Sequence, residues 1–152
     1  MKHWLIKSEP SVWSWAMQRA AGAQGTAWTG VRNHLARQHL MAMKHGDRAF
    51  FYHSNEGKDI VGIVEVIRGH YPDPTAEKGE PWLVVDVKAV SALKTPVTLA
   101  AIKANPKLSK MSLVTSARLS VQPVTEAEWE VVCEMGGWPI PAQVHSFLTP
   151  VC

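Results

Sequence analysis

Two alternating segments constrain this chain more than any other stretch: residues 47–54 (DRAFFYHS) and 59–68 (DIVGIVEVIR), separated by Asn55-Glu56-Gly57-Lys58. In the first, Ala49, Phe51 and His53 fall on one face of a strand, and Phe50, Tyr52 and Ser54 on the other. The tetrapeptide between them is turn chemistry, so residues 59–68 form the returning strand. Gly62 inside that strand predicts a bulge or close approach by another backbone. Three further strands are expected at residues 3–7 (HWLIK), 82–93 and 119–124. Pro10 turns Ser8 and Glu9 away from helix after the first of these.

Helices are expected between the strands. Ser11 suits a cap for a helix running to about Ala21, with Val12, Trp15 or Ala16, and Arg19 or Ala20 at helical spacing. Trp13 and Trp15 cannot share its face, so one of them packs inward. A second helix is predicted from near Arg32 to Lys44, with Ala36, Leu40 and Met43 in one stripe, Leu35 beside it, and Gly46 as the C′ residue. Thr98 caps a short helix carrying Leu99 and Ile102. The capping box Thr125-Glu-Ala-Glu128 opens a final helix ending near Gly136-Gly137, with Val124 and Trp129 as its hydrophobic staple. Strands in meander-like order with inserted helices argue against a doubly wound parallel sheet. The pattern predicts an α+β fold whose five strands curl into a small barrel closed by helices.

At 152 residues the chain is long enough to bury a core without disulfide or metal support. One domain is expected over residues 1–137, with a C-terminal tail, 138–152, that shows no clear period. Cys133 and Cys152 make no disulfide framework, and neither a secretory pattern nor a transmembrane-length run is present. A soluble protein of the cytoplasm is expected, nucleoid-associated in a bacterium or nuclear in a eukaryote, with no membrane partner. Seven histidines include no HExxH, the cysteines form no CxxC, and no phosphate loop or GxGxxG follows a strand. No metal or cofactor is expected. Ser54 follows His53, but adjacent strand residues point to opposite faces, so this pair does not make a nucleophile and its base.

The chemistry concentrates around Trp28-Thr29-Gly30-Val31-Arg32-Asn33. An indole offers a stacking surface, a carboxamide donates and accepts at once, and Arg beside a helix N-terminus attracts phosphate. A helix start anchored by a buried Trp is the plainer alternative. The charge distribution adds support: residues 1–46 carry six basic groups and a single acid, Glu9, whereas the remainder carries ten basic and twelve acidic groups. An aromatic and amide surface in a basic half suits a base that has left its stack, held between rings and read along its edge. For Phe50 and Tyr52 a place in the core outweighs ligand contact.

The motifs Trp4-Leu-Ile-Lys-Ser-Glu-Pro10, Trp28-Thr-Gly-Val-Arg-Asn33 followed by Ala36-Arg37, Gly46-Asp47, and Phe51-Tyr-His-Ser54 occur in order. They are followed by Gly62-Ile-Val64, Tyr71-Pro-Asp73, Trp82 with Val85-Asp86-Val87, and Arg118-Leu-Ser-Val-Gln-Pro-Val124. This ordered set resembles the EVE domain over residues 3–134. The resemblance implies a PUA-like mixed pseudo-barrel of five strands with helices packed around it, related to the YTH domain. It also implies recognition of a modified base, most often 5-substituted cytosine (such as methylcytosine) flipped out of DNA, with RNA a ligand for some members. By matching position, the base-binding set is Lys7, Ser8, Trp28, Val31, Asn33, His53 and Ser54, and the phosphate-binding set Arg32, Arg37 and Arg118. A non-catalytic nucleic-acid-binding module is therefore expected. The alternatives are a small hydrolase cleaving an ester or amide in the same pocket, and an interaction module using the tail. Trp28 is expected to stand free enough that Trp28→Ala costs binding more than stability, with Trp4 and Trp82, placed within strands, showing the reverse.

Overall fold

A computed structural model describes residues 1–139; residues 140–152, most of the predicted tail, lie outside the described part. The strands are β1 (His3–Ser8), β2 (Thr26–Ala27), β3 (Arg48–His53), β4 (Asp59–Pro72), β5 (Leu83–Thr98) and β6 (Val121–Val124). The helices are α1 (Trp15–Ala20), α2 (His34–Ala42), α3 (Leu99–Ala104), α4 (Ser112–Thr115) and α5 (Glu126–Gly136).

The six strands form one mixed sheet in the order β2-β5-β4-β3-β1-β6, one strand more than expected. The additional strand is β2, two residues that pair Thr26 with Val87 and Ala27 with Asp86; so short a strand carries no period to detect. Strands β3, β4 and β5 follow the expected meander, but β1 lies parallel to β3 and antiparallel to β6, a departure from meander order. The two ends of the sheet share no ladder among the described residues. Helix α2 packs against β6 at one end and against β5 and β4 toward the other.

The alternation read in residues 47–54 sorts the core into two layers. Leu5, Phe50, Tyr52 and Ile63 pack against Ile102 of α3, Leu113 of α4, and Trp129, Val132 and Cys133 of α5. Trp4, Ile6, Ala49, Phe51 and Val64 pack on the other side against Trp15, Trp28, Val31, Ala36 and Leu40. Phe50 and Phe51 are both fully buried. Cys133 lies in the first layer, where burial pushes its thiol up to about 12. Trp138, the start of the predicted tail, also packs there, under the Arg48 guanidinium at 5.4 Å from the ring centroid.

Several local boundaries differ from the sequence expectation. Helix α1 is capped by Ser14, not Ser11, because the Glu9 carbonyl accepts from the Val12 and Trp13 amides and closes a turn there first. Helix α2 starts at His34 with Asn33 as its cap and ends at Ala42, and Leu35 is 50% exposed. Gly46 sits beyond the helix with φ 94°, donating to the Val66 carbonyl. Strands β4 and β5 extend past their expected ends to Pro72 and Thr98, and α4 lay in a region with no predicted element. The Thr98 cap and the Thr125–Glu128 capping box are as expected.

Gly62 has both features anticipated for it, with one difference. The β4–β5 register shifts beside it, and the close neighbour is a side chain: an added Cβ would fall 2.4 Å from the Trp15 ring. The indole thus lies flat against β4, which places α1 on this face of the sheet.

Candidate functional site

A cavity of about 550 Å³ opens beside the C-terminal end of β1. Lys7, Ser8 and Glu9 form one side, Val12 and Trp13 of the following turn another, and residues 26–30, from β2 into the loop after it, the third. Each wall is fixed by a buried partner. The Trp13 indole N–H donates to Gln18 Oε1 at 2.8 Å, and fully buried Gln18 donates to the Val87 carbonyl at 3.2 Å. The Ser8 hydroxyl donates to the Trp13 carbonyl at 2.6 Å. Gly25 allows the opposite wall to approach β5, since a Cβ there would lie 2.3 Å from the Val87 oxygen. The Trp28 amide then donates to the Val85 carbonyl at 2.8 Å.

Trp28 is more buried than expected. It is 7% exposed, with the ring edge-on to Phe51 at 5.5 Å, so it serves both core and cavity. The same loop is anchored by Asp73, which is 4% exposed. Its carboxylate accepts from the Gly30 amide (3.0 Å), Arg32 Nη1 (2.9 Å), and the Thr75 amide and hydroxyl (2.7 and 2.6 Å). Burial opposes the charge, but the hydrogen bonds from Thr75, Arg32 and Gly30 outweigh it and hold the carboxyl at about 2.

The residues matched from sequence are distributed unevenly around this cavity. Lys7, Ser8 and Trp28 line it. Lys7 Nζ donates to the Ala117 carbonyl at 2.6 Å and lies 5.9 Å from the Tyr52 ring centroid; burial pushes its ammonium below the usual lysine range. Val31 is buried in the core cluster with Trp28. Asn33 caps α2, its side-chain oxygen accepting from the Ala36 amide at 2.9 Å. His53 supports the neighbouring wall: its Nε2 accepts from the Trp15 amide at 3.1 Å, and its Nδ1 stands 4.0 Å from Asp59. Ser54 is tied to the site through its backbone, donating to the Ser8 carbonyl at 2.9 Å.

The three arginines also have distinct settings. Arg32 is engaged by Asp73 and by the Thr75 hydroxyl at 3.2 Å, and stands over the Trp82 ring at 5.8 Å. Arg37 Nε donates to the Pro81 carbonyl at 2.6 Å. Arg118 is exposed, in the turn next to Ala117, the residue that receives Lys7. That turn is fastened by Gln122, whose amide donates to the Ser112, Ser116 and Leu119 carbonyls.

Glu9, Val12, Trp13, Thr26, Ala27, Thr29 and Gly30 also line the cavity and were not in the base-binding set read from sequence. For Trp13 the signal was available: with Trp15 pointing inward, its near neighbour had to point elsewhere. Gln18 and Asp73 act as fasteners across long sequence separations, which no local pattern encodes. A larger hollow of about 760 Å³ near the β5 edge includes none of the matched residues, and its Glu65 lies between Arg48 (3.6 Å) and Lys88 (4.0 Å). Among the described residues no cluster of three or more His, Cys, Asp or Glu has metal-binding geometry, and no helix is long and apolar enough to cross a membrane.

The profile of the EVE domain matches residues 2–135. The chain belongs to the EVE domain family. Human thymocyte nuclear protein 1 is 37% identical over 164 residues, covering 88% of this chain and 73% of the human protein. Its crystal structure in complex with 5-methylcytosine-containing DNA is similar to this EVE fold with a TM-score of 0.82, covering 92% of this chain and all of the other. The crystal structure of protein Atu2648 from Agrobacterium tumefaciens is 60% identical with a TM-score of 0.89, covering 91% and 94% of the two chains. The YTH domain of Zygosaccharomyces rouxii MRB1 shares the fold at a TM-score of 0.54 and 13% identity, over 88% of this chain and 85% of that one. The EVE chain is thus α+β with a six-stranded mixed sheet, a fold shared with the YTH domain.

Proposed function

We propose that this EVE-domain protein is a non-catalytic reader of a modified base, 5-substituted cytosine flipped out of DNA, and that the cavity of Lys7, Ser8, Trp13 and Trp28 receives it. One observation carries the reading: Trp13, Trp28, Lys7 and Ser8 line a space of about 550 Å³ within the basic half of the chain. That size falls in the range of small-molecule sites, and rings with few polar groups suit an extruded base. A relative at 34% identity was crystallised with 5-methylcytosine-containing DNA, which favours cytosine. Arg118, exposed in the turn whose Ala117 carbonyl receives Lys7, is the proposed contact for a flanking phosphate.

The groups a hydrolase would use are committed elsewhere, which favours reading without catalysis. Ser8 donates to a backbone carbonyl, and the His53 Nε2 is occupied by a backbone amide. The test is a titration against duplexes that differ only at one base: cytosine, 5-methylcytosine, 5-hydroxymethylcytosine or N6-methyladenine. Tighter binding to one cytosine modification is expected. Equal affinity for all four, or hydrolysis of ester or amide substrates lost on mutating Ser8, would count against the proposal.

A further inference from the structure

We infer that Glu9 selects the exocyclic amino group of the base, so that the cavity accepts a 4-aminopyrimidine and rejects its 4-oxo counterpart. This rests on the base-reading function proposed above and assigns its specificity. Glu9 is the single acid among residues 1–46, and it lines the cavity itself. A carboxylate facing phosphate would oppose nucleic-acid binding; in a base pocket it has a use, because an ionised carboxylate only accepts hydrogen bonds. Cytosine presents an N4 amino donor along its edge, whereas thymine presents the O4 acceptor at the same place. Thymine is 5-methyluracil, so Glu9 would separate two bases that carry the same methyl group.

The acceptor is held in place from both ends. Pro10 restricts the Glu9 backbone, and its carbonyl accepts from the Val12 and Trp13 amides at 2.9 Å each. The side chain is held by a second element: Asn55 Nδ2 donates to Glu9 Oε1 at 2.7 Å, across 46 residues. Asn55 reaches it from a turn in which Asn55, Gly57 and Lys58 all have positive φ (61°, 91° and 51°), a sparsely populated backbone for the two residues with side chains. Among the described residues no Lys, Arg or His lies within ion-pair distance of Glu9. One carboxylate oxygen is therefore fixed by an amide, and the other is left for a donor.

The experiment compares duplexes carrying 5-methylcytosine or thymine at one position, each opposite the same abasic site so that extrusion cost does not depend on pairing. Wild type should bind 5-methylcytosine at least about tenfold more tightly, the discrimination expected of one well-placed edge contact. Glu9→Gln should bring the ratio near one or invert it, because the new amide donates to O4. Asn55→Gly, which removes the amide but keeps a residue that tolerates the positive φ, should lower the ratio with little change in melting temperature. An unchanged ratio in Glu9→Gln overturns the assignment to Glu9 while leaving base reading intact. If wild type binds neither duplex, nor the duplexes of the preceding test, base reading falls and the Glu9 assignment with it.

Discussion

Trp13 and Trp28 differ in how much of each ring is left for a ligand. Trp13 is half-buried and oriented by Gln18, so Trp13→Ala should remove stacking, roughly 1–3 kcal/mol of binding, at smaller cost to stability. Trp28→Ala should also cost roughly 3–5 kcal/mol of fold stability, since its ring packs on Phe51. Binding titrations beside thermal melts separate the two, and an equal stability loss would place Trp13 in the core. Asp73 gives a pH signature. Its folded value of about 2 lies below the 3.8 of a free side chain, so its stabilisation is complete above about pH 4 and lost as pH falls toward 2. The amount is roughly 2–3 kcal/mol, and melts of Asp73→Asn should lack this acid-dependent component. At this scale the sequence was partly legible. The ordered motifs located Lys7, Ser8 and Trp28, but they did not distinguish side chains that line the cavity from those that brace it, such as Asn33, His53 and Arg32. That distinction depends on partners tens of residues away.

Single elements hold the cavity through contacts between unlike parts of the chain. Helix α1 has six residues, too few for stability of its own, and is placed by Trp15 lying on Gly62 and by His53 accepting the Trp15 amide. Gly62→Ala would drive a methyl into that ring and should cost about 1–3 kcal/mol, while also weakening binding because Trp13 and Gln18 move with the helix. Gly69→Ala, whose Cβ would meet only the Met43 oxygen at 4.0 Å, serves as the control and should be near neutral. Melts and titrations of both variants test this; equal effects would mean that α1 is not set by Gly62. The glycine was visible in sequence as an irregularity, and so was the strand around it. The identity of the ring above it was not, because α1 is capped three residues later than the serine pattern suggested.

At the scale of the molecule, charge and topology set separate limits. The cavity is lined entirely by residues 7–30, within the basic half of the chain, so affinity for DNA should fall as salt rises through release of counterions. Titrations from low to physiological salt measure the slope, and a flat response would point to a free small molecule as ligand. The α+β class and most strands followed from alternation alone, whereas β1 beside β3 did not, since pairing partners leave no trace in a period-2 pattern. That position of β1 has an effect during synthesis. Strand β1 needs β3 on one side and β6, more than 100 residues later in the chain, on the other. Until residues 121–124 emerge, a nascent chain carries an apolar strand with an open edge, the form most prone to pair with a neighbouring chain. Lys7 and Ser8 stand on that strand, so the candidate pocket is braced on both sides only after residues 121–124 have emerged.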